Sequence, residues 1–327
     1  MNFSPGLPLR IEMLKKIVKN IVLASKNQFE IESMLVGNLK KVPADIKIKN
    51  AEYVIKKQNK DGGFSGRLGS SDMYYTAFAV KIMTLLGAGG KDFWKKAGSF
   101  AWKYDLSGAG LTELVSYLQV IDILEKKKVA ASGIKEYRTN AIKIIKEYED
   151  KSGGFMKSPV DKRMSLYNSF LAMLCLSKLK EKYPNIEKTA AKILKRQMKD
   201  GGFSDLGYDS CGQTNPSAAA VMSLFVFDRD SDAVRKKAVK YFVKMQDKSG
   251  GFLAHAKAPV SDLLSTYTAL ITLKTLGETG AAGRKAALEF VRSLMFKAGG
   301  FKSVRIDNDS DIEYTYYGLG CLGLLEN

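Results

Sequence analysis

Polar and apolar positions in this 327-residue chain fall into two helical textures that alternate. Segments such as KNAEYVIKKQ and RKKAVKYFVKMQ carry apolar residues on one face and lysines on the other, the pattern of an amphipathic helix. Others are apolar nearly all round: TAFAVKIMTLL, YNSFLAMLCLSKL, SAAAVMSLFVF, TYTALITLKTL and TYYGLGCLGLL. A helix that is apolar on every side is buried, and an amphipathic one packs outside it. A Gly-Gly-Phe turn separates the two textures, its first glycine at positions 62, 153, 201, 250 and 299. A degenerate copy, Ser-Gly-Ala-Gly-Leu, places Gly108 in the same series. The gaps are 46, 45, 48, 49 and 49 residues, so the chain is a six-fold structural repeat.

The first outer helix is expected to start at Pro43-Ala44-Asp45 and the first inner helix near Asp72. The inner helix should stop at Gly87, where glycine suits the left-handed C-cap position. Residues 1–42 read as an N-terminal helix and connecting segment, and residues 43–327 as the repeat domain. Six near-even outer–inner pairs, with no distinctly polar terminal cap, predict an all-α fold: a closed α/α toroid around a central cavity, with an open solenoid as the alternative. Hydroxyl residues recur one turn into each inner helix (Thr76, Ser116, Ser169, Ser217, Thr268 and Thr315) and are expected to face the cavity. Around them stand Tyr74, Tyr75, Tyr117, Tyr167, Tyr267, Tyr314, Tyr316 and Tyr317. Either these residues pack the helices closely and fill the centre, or they line an aromatic pocket for a long apolar ligand.

Composition narrows the class. The formal charge of +18 fits a lysine-coated soluble surface or an anionic partner such as a diphosphate or a lipid surface. No nucleic-acid reader motif accompanies the charge, so nucleic acid is not an expected partner. No apolar run reaches a membrane span. Residues 9–25 put Ile11, Leu14, Ile17, Val18, Ile21 and Val22 on one face, a helix that can pack on its own domain or lie on a membrane surface. Cys175, Cys211 and Cys321 form no framework of pairs, which points to a reducing cytoplasm. The expected location is cytoplasmic, with room for peripheral membrane contact.

The wording of the first repeat, Asp61-Gly-Gly-Phe-x-Gly-Arg67 followed by Asp72-x-x-Tyr75-Thr76, resembles the repeat of protein prenyltransferase β-subunits. It is similar, more distantly, to squalene cyclases and other class II terpene cyclases. The resemblance covers roughly residues 45–325 and implies the toroid. In the prenyltransferase pattern, Arg67 and Tyr75 match diphosphate contacts and Asp72 matches a zinc ligand. Tyr74 stands where that family has a cysteine ligand, and Tyr314 stands where it has the histidine of Asp-x-x-His-Thr. The pattern therefore argues against zinc, which needs soft and well-placed ligands, and leaves room for magnesium. Asp209, Cys211 and His255 are the remaining candidates for a rebuilt metal site. In the cyclase pattern, Asp-x-Asp-Asp-Thr supplies a middle acid that protonates an alkene or epoxide. Anchored on Thr315, Glu313 takes the place of that acid and Asp311 that of its first neighbour, although an Asp at a helix start is also an ordinary N-cap. Crowded carboxylates raise one another's pKa and keep a proton available. Arg163 is either a second phosphate contact or a surface salt bridge.

The resemblance implies an isoprenoid-handling enzyme binding a prenyl diphosphate or other polyprenyl lipid. Arg67, Tyr75, Arg163 and Asp72 would surround the head. Tyr74, Tyr117, Tyr167, Tyr267, Tyr314 and Tyr317 would line the chain path, and Glu313 with Asp311 would start any cyclisation. The alternatives are a non-catalytic toroid that binds a lipid or protein, and a β-like subunit with a rebuilt metal site and a helical partner subunit.

Overall fold

The computed structural model describes residues 35–129 and 137–326; the amphipathic segment 9–25 lies outside them. Six outer helices are α1 (Ala44–Lys56), α3 (Lys91–Trp102), α5 (Tyr137–Tyr148), α7 (Ile186–Leu194), α9 (Asp232–Met245) and α11 (Arg284–Ser293). Six inner helices alternate with them: α2 (Met73–Leu85), α4 (Leu111–Lys126), α6 (Leu166–Leu179), α8 (Thr214–Val226), α10 (Leu263–Thr275) and α12 (Ile312–Leu325). Each outer helix packs on the inner helix that follows it. Each inner helix packs on the next, and α12 returns to pack on α2. That last contact closes the ring, so the architecture is a two-layered α/α toroid and not an open solenoid.

The buried positions follow the two textures. Nine of the thirteen residues of α2 are buried, against Asn50 and Val54 alone in α1. The starts of four inner helices are set by side-chain caps. Asp72, Ser165, Asp262 and Asp311 accept hydrogen bonds from the amides of Tyr75, Asn168, Ser265 and Tyr314, which satisfies one of the orphan donors of the first turn. Gly87 follows α2 with φ of +62°, as the C-cap reading required.

The Gly-Gly-Phe turn joins neighbouring repeats. Its first glycine has φ between +88° and +108° in all five copies, a region where L-residues are strained. A Cβ on Gly62, Gly201 or Gly250 would stand 2.0, 2.4 or 2.1 Å from the carbonyl oxygen of Lys96, Lys237 or Ala286. Each turn thus rests against the outer helix of the next repeat. Gly299 rests in the same way on Lys49 of α1, where a Cβ would be 2.4 Å from the carbonyl oxygen. The Gly300 amide donates to buried Asn50 at 2.9 Å.

The phenylalanine of the turn is fully buried in every copy: Phe64, Phe155, Phe203, Phe252 and Phe301. It pairs in antiparallel fashion with the N-cap residue of the inner helix: Asp72, Ser165, Gln213, Asp262 and Asp311. Its amide donates to Thr76, Ser169, Ser217, Thr266 or Thr315 at 2.7–3.2 Å. The recurrent hydroxyls therefore hold the turns and do not face the cavity, because a buried amide demands a partner. In the fifth repeat this residue is Thr266. Thr268 instead donates to Asn215 of α8 at 2.7 Å. Ser116, in the degenerate repeat with no such phenylalanine, bonds back to the Thr112 carbonyl.

Candidate functional site

All six inner helices start at one end of the ring, so the residues just inside their N-termini converge there. Glu313 is the second residue of α12 and is largely buried. Tyr74, the second residue of α2, donates its hydroxyl to Glu313 Oε1 at 2.6 Å, and Tyr317, one turn along α12, donates to the same oxygen at 3.1 Å. Two donors on one oxygen use both of its lone pairs and leave Oε2 outside either hydrogen bond. Burial is the largest cause pushing the Glu313 carboxyl above its ordinary pKa. The two tyrosine hydrogen bonds and Lys81 pull it back, and Asp311 adds to the rise. Mutual repulsion of carboxylates, expected from the sequence as the cause, is thus secondary to desolvation.

Below Glu313 lies an aromatic cluster. Phe78 packs edge-on to Tyr74 at 4.9 Å between centroids, and meets Tyr316 and Tyr317 at 5.4 Å each. Tyr267 of α10 approaches Tyr317 at 5.3 Å, and Tyr314 approaches it at 6.1 Å. The Lys81 ammonium sits 4.5 Å from the Phe78 ring and 4.0 Å from the Tyr316 ring. Desolvation raises the hydroxyl pKa of Tyr74 and Tyr317, and takes Tyr75 and Tyr314 up to about 12. All four are neutral donors at any ordinary pH. Phe78 and Lys81 were not singled out from the sequence. Tyr74, Phe78 and Lys81 stand at i, i+4 and i+7 of an inner helix, and that spacing is the signal which places them on one face.

A polar cavity of about 580 Å³ opens above this cluster, lined by Arg67, Tyr75, Ser303, Val304, Ile306, Asp307, Asp311, Glu313 and Tyr314. Arg67 forks onto Asp307, with Nη1 3.0 Å from Oδ1, and its Nε lies 3.7 Å from Asp311 Oδ2. The Arg67 hydrogen bonds hold Asp307 well below the usual carboxylate range. Among the described lining residues Arg67 is the one cation, facing three carboxyl groups.

The remaining predicted residues divide. Tyr167 stands at the start of α6, across the ring from α12. It keeps 42% of its surface accessible, yet desolvation raises its hydroxyl pKa and Glu313 is the leading charge acting on it. A side chain that is both accessible and closely surrounded projects into the central space. Tyr117 does not join the cluster: its ring lies 6.5 Å from Tyr104 and 5.7 Å from Tyr137 of outer helix α5, between the two layers. Arg163 forms a bidentate pair with Asp161 at 2.7 and 2.8 Å and stacks on Tyr208. Asp72 and Asp311 use their carboxylates as N-caps.

The zinc site of the prenyltransferase pattern does not fit these residues. Asp72 is occupied as a cap, and the tyrosine in the cysteine position donates to Glu313. Tyr314 has only a neutral phenol to offer. Among the described residues no three His, Cys, Asp or Glu side chains are grouped to hold a metal ion.

A closed ring of six helix pairs, with a largely buried carboxyl group at the inner N-termini, defines an α/α toroid. Family comparison names the class: the chain belongs to the prenyltransferase alpha-alpha toroid domain family, matched over residues 28–108, 111–215 and 216–327. Among solved structures it is similar to Candida albicans protein geranylgeranyltransferase-I complexed with GGPP. That likeness has a TM-score of 0.61 and 15% identity, covering 85% of this chain and 91% of that one. It is also similar to a variant of the type II terpene cyclase MstE from Scytonema, in complex with geranylgeranyl dihydroxybenzoate. There the TM-score is 0.59 and the identity 14%, covering 91% and 99%. A protein from Actinoplanes gives a TM-score of 0.58 at 12% identity, covering 87% and 99%. No curated protein matches the sequence. Among the described residues no helix is long and apolar enough to cross a membrane.

Proposed function

We propose that this protein binds a polyprenyl chain in the aromatic centre of the ring and that Glu313 acts on it as a general acid. The observation that carries this reading is the carboxyl group itself: largely buried, raised in pKa by desolvation despite two tyrosine hydrogen bonds, and held by Tyr74 and Tyr317 on one oxygen with Oε2 left to act. The Oε2 proton passes to one carbon of an alkene, or to an epoxide oxygen. This leaves the Glu313 carboxylate and a carbocation on the substrate. The next double bond of the chain attacks the cation and closes a ring, loss of a proton to water ends the sequence, and water returns a proton to the Glu313 carboxylate. The faces of Phe78, Tyr316 and Tyr317 supply the negative quadrupole that stabilises the cationic intermediates. Lys81 lies over two of these rings, so the cation forms on the Glu313 side of the cluster.

Diphosphate-dependent transfer has less support. Arg67 is already engaged by Asp307 and Asp311, and the cavity is otherwise acidic, a poor seat for a polyanion. The partners that favour this reading are therefore prenyl chains with a neutral or weakly charged head.

The test is turnover and binding in detergent solution, with geranylgeraniol, its terminal epoxide and geranylgeranyl diphosphate as probes. Glu313→Gln is expected to bind the chain as the wild type does and to lose about 10²–10⁴-fold in turnover, the usual contribution of a general acid. Tyr74→Phe removes a hydrogen bond that favours the carboxylate, so the alkaline limb of the pH profile should move to higher pH. Full turnover by Glu313→Gln, or tight binding of inorganic diphosphate, would overturn the acid mechanism. Chain binding without turnover of any probe by the wild type would identify a lipid-binding toroid instead.

A further inference from the structure

The rim of loops around the inner-helix N-termini is broken at one repeat, and neither the closure of the ring nor the acid explains the break. From the first glycine of the turn to the first residue of the inner helix, the chain runs 11 residues in the first repeat, Gly62 to Met73. It runs 13 in the third to sixth, as from Gly153 to Leu166. In the second repeat it runs three, from Gly108 to Leu111. Helix α4 therefore starts with no loop of its own above it. The bare end is finished and not frayed. Glu113 Oε2 accepts the Gly110 amide at 2.9 Å, and Oε1 accepts the Tyr104 hydroxyl at 3.1 Å, so the first turn is closed by its own side chain.

The side chains beneath the rim are lowest at the same place. The first residue of every inner helix is buried: Met73, Leu111, Leu166, Thr214, Leu263 and Ile312. The second residues stand in register beside them: Tyr74, Thr112, Tyr167, Asn215, Leu264 and Glu313. Thr112 has the shortest side chain of these six, and it belongs to the helix without a loop. Helix α4 packs between α2 and α6, so the gap has Tyr74 on one side and Tyr167 on the other. Tyr167 is the one exposed residue of the six, and Glu313 is the leading charge acting on it. The opening over α4 therefore communicates with the acid.

We infer that the substrate leaves the ring over α4, with its reacting end at Glu313 and its head outside. A chain held at the acid has few ways to continue. Down the axis it meets Phe78, Tyr316 and Tyr317, all buried and in mutual contact. Upward lies the cavity of Arg67, Asp307 and Asp311, where an apolar chain would strip water from charged groups. Over α4 it meets a threonine floor between two tyrosines. Their rings are apolar on the face and polar at the hydroxyl, which suits the junction of a prenyl chain with a polar head. The inference rests on the proposed function for the reacting end, and it names the substrate class: a polyprenyl chain joined to a head too bulky to enter the ring.

The experiment is equilibrium binding to the full chain in detergent solution, with three probes: geraniol, geranylgeraniol, and geranylgeraniol carrying a dansyl group on its alcohol oxygen. The wild type should bind the dansyl probe within about threefold of geranylgeraniol, since the head meets no wall. Thr112→Trp fills the gap. It should weaken both long probes at least about tenfold and change geraniol, short enough to stay inside, by less than about twofold. Adding Tyr167→Ala reopens the gap and should restore the long probes, which a merely misfolded variant would not allow. A wild type that binds geranylgeraniol but excludes the dansyl probe has a closed pocket, and the inference fails without any variant. It fails also if Thr112→Trp binds all three probes as the wild type does, or weakens all three alike. No binding of any probe would overturn the inference together with chain binding itself. Glu313→Gln should repeat the wild-type pattern, because binding is read without turnover. The acid can thus fail while the path stands, and the path can fail while the acid stands.

Discussion

A carboxyl group that has lost most of its water resists ionisation, and Glu313 shows what this does to stability as well as to chemistry. Its pKa is raised in the folded chain, with burial as the first cause. The group therefore favours the fold below the ordinary glutamate range, about 4.3 in an unfolded chain, and that contribution is lost as pH rises through the raised value. Glu313→Gln keeps the shape and an acceptor oxygen but cannot ionise. Melting temperatures should accordingly be higher for Glu313→Gln than for the wild type at about pH 8, with the gap closing toward about pH 4. A gap that does not change with pH would show that ionisation at this position carries no such cost. The position was readable from the sequence through its spacing to Thr315. The geometry was not, because the two donors come from Tyr74 and Tyr317 on different helices, and the Tyr74 contact joins residues 239 apart in the chain.

At the scale of the element, the Gly-Gly-Phe turn and its inner helix work as one unit. Gly201 and Gly69 both have positive φ, +93° and +105°, but only Gly201 faces a neighbouring backbone, where a Cβ would meet the Lys237 carbonyl oxygen at 2.4 Å. Gly69→Ala should cost about 1–2 kcal/mol from backbone strain alone. Gly201→Ala should add about 1–3 kcal/mol for the overlap. Urea unfolding of the two variants would check the order, and equal losses would mean that α9 yields to the turn. The helices, their order and their two textures could be read from periodicity, since burial on one face or on all faces leaves a direct mark on the residue pattern. The job of the recurrent hydroxyls could not. A threonine that serves the cavity and one that holds a buried amide look alike in sequence, and the fifth repeat offered both Thr266 and Thr268. Tyr117 misled for a similar reason: helical spacing places a residue on a helix, but whether it faces the centre or the outer layer depends on how the helix is rotated about its axis.

Across the whole molecule, the join between the last repeat and the first is made like the others. Buried Asn50 accepts the Gly300 amide at 2.9 Å and donates to the Ile46 carbonyl at 2.8 Å. The exposed Arg67–Asp307 pair ties the same two repeats and is worth little by itself, about 0–1 kcal/mol. Asn50→Ala should lower stability by about 1–3 kcal/mol, the cost of a buried donor left without a partner, while Arg67→Ala should barely move the urea midpoint. If the two variants fall equally, the join relies on the surface pair and not on the buried one.

Because each of the five Gly-Gly-Phe turns rests on the unit that follows it, and the sixth repeat rests on the first, the ring has no structural beginning. The position of the chain break between α12 and α1 is a matter of genetic order, not of mechanical necessity. A chain opened at another of the connections from an inner helix to the next outer helix would present the same five seats. Repeat number is constrained in the opposite way: a seventh pair could not be added at an end, as it can in an open array, because there is no end to extend.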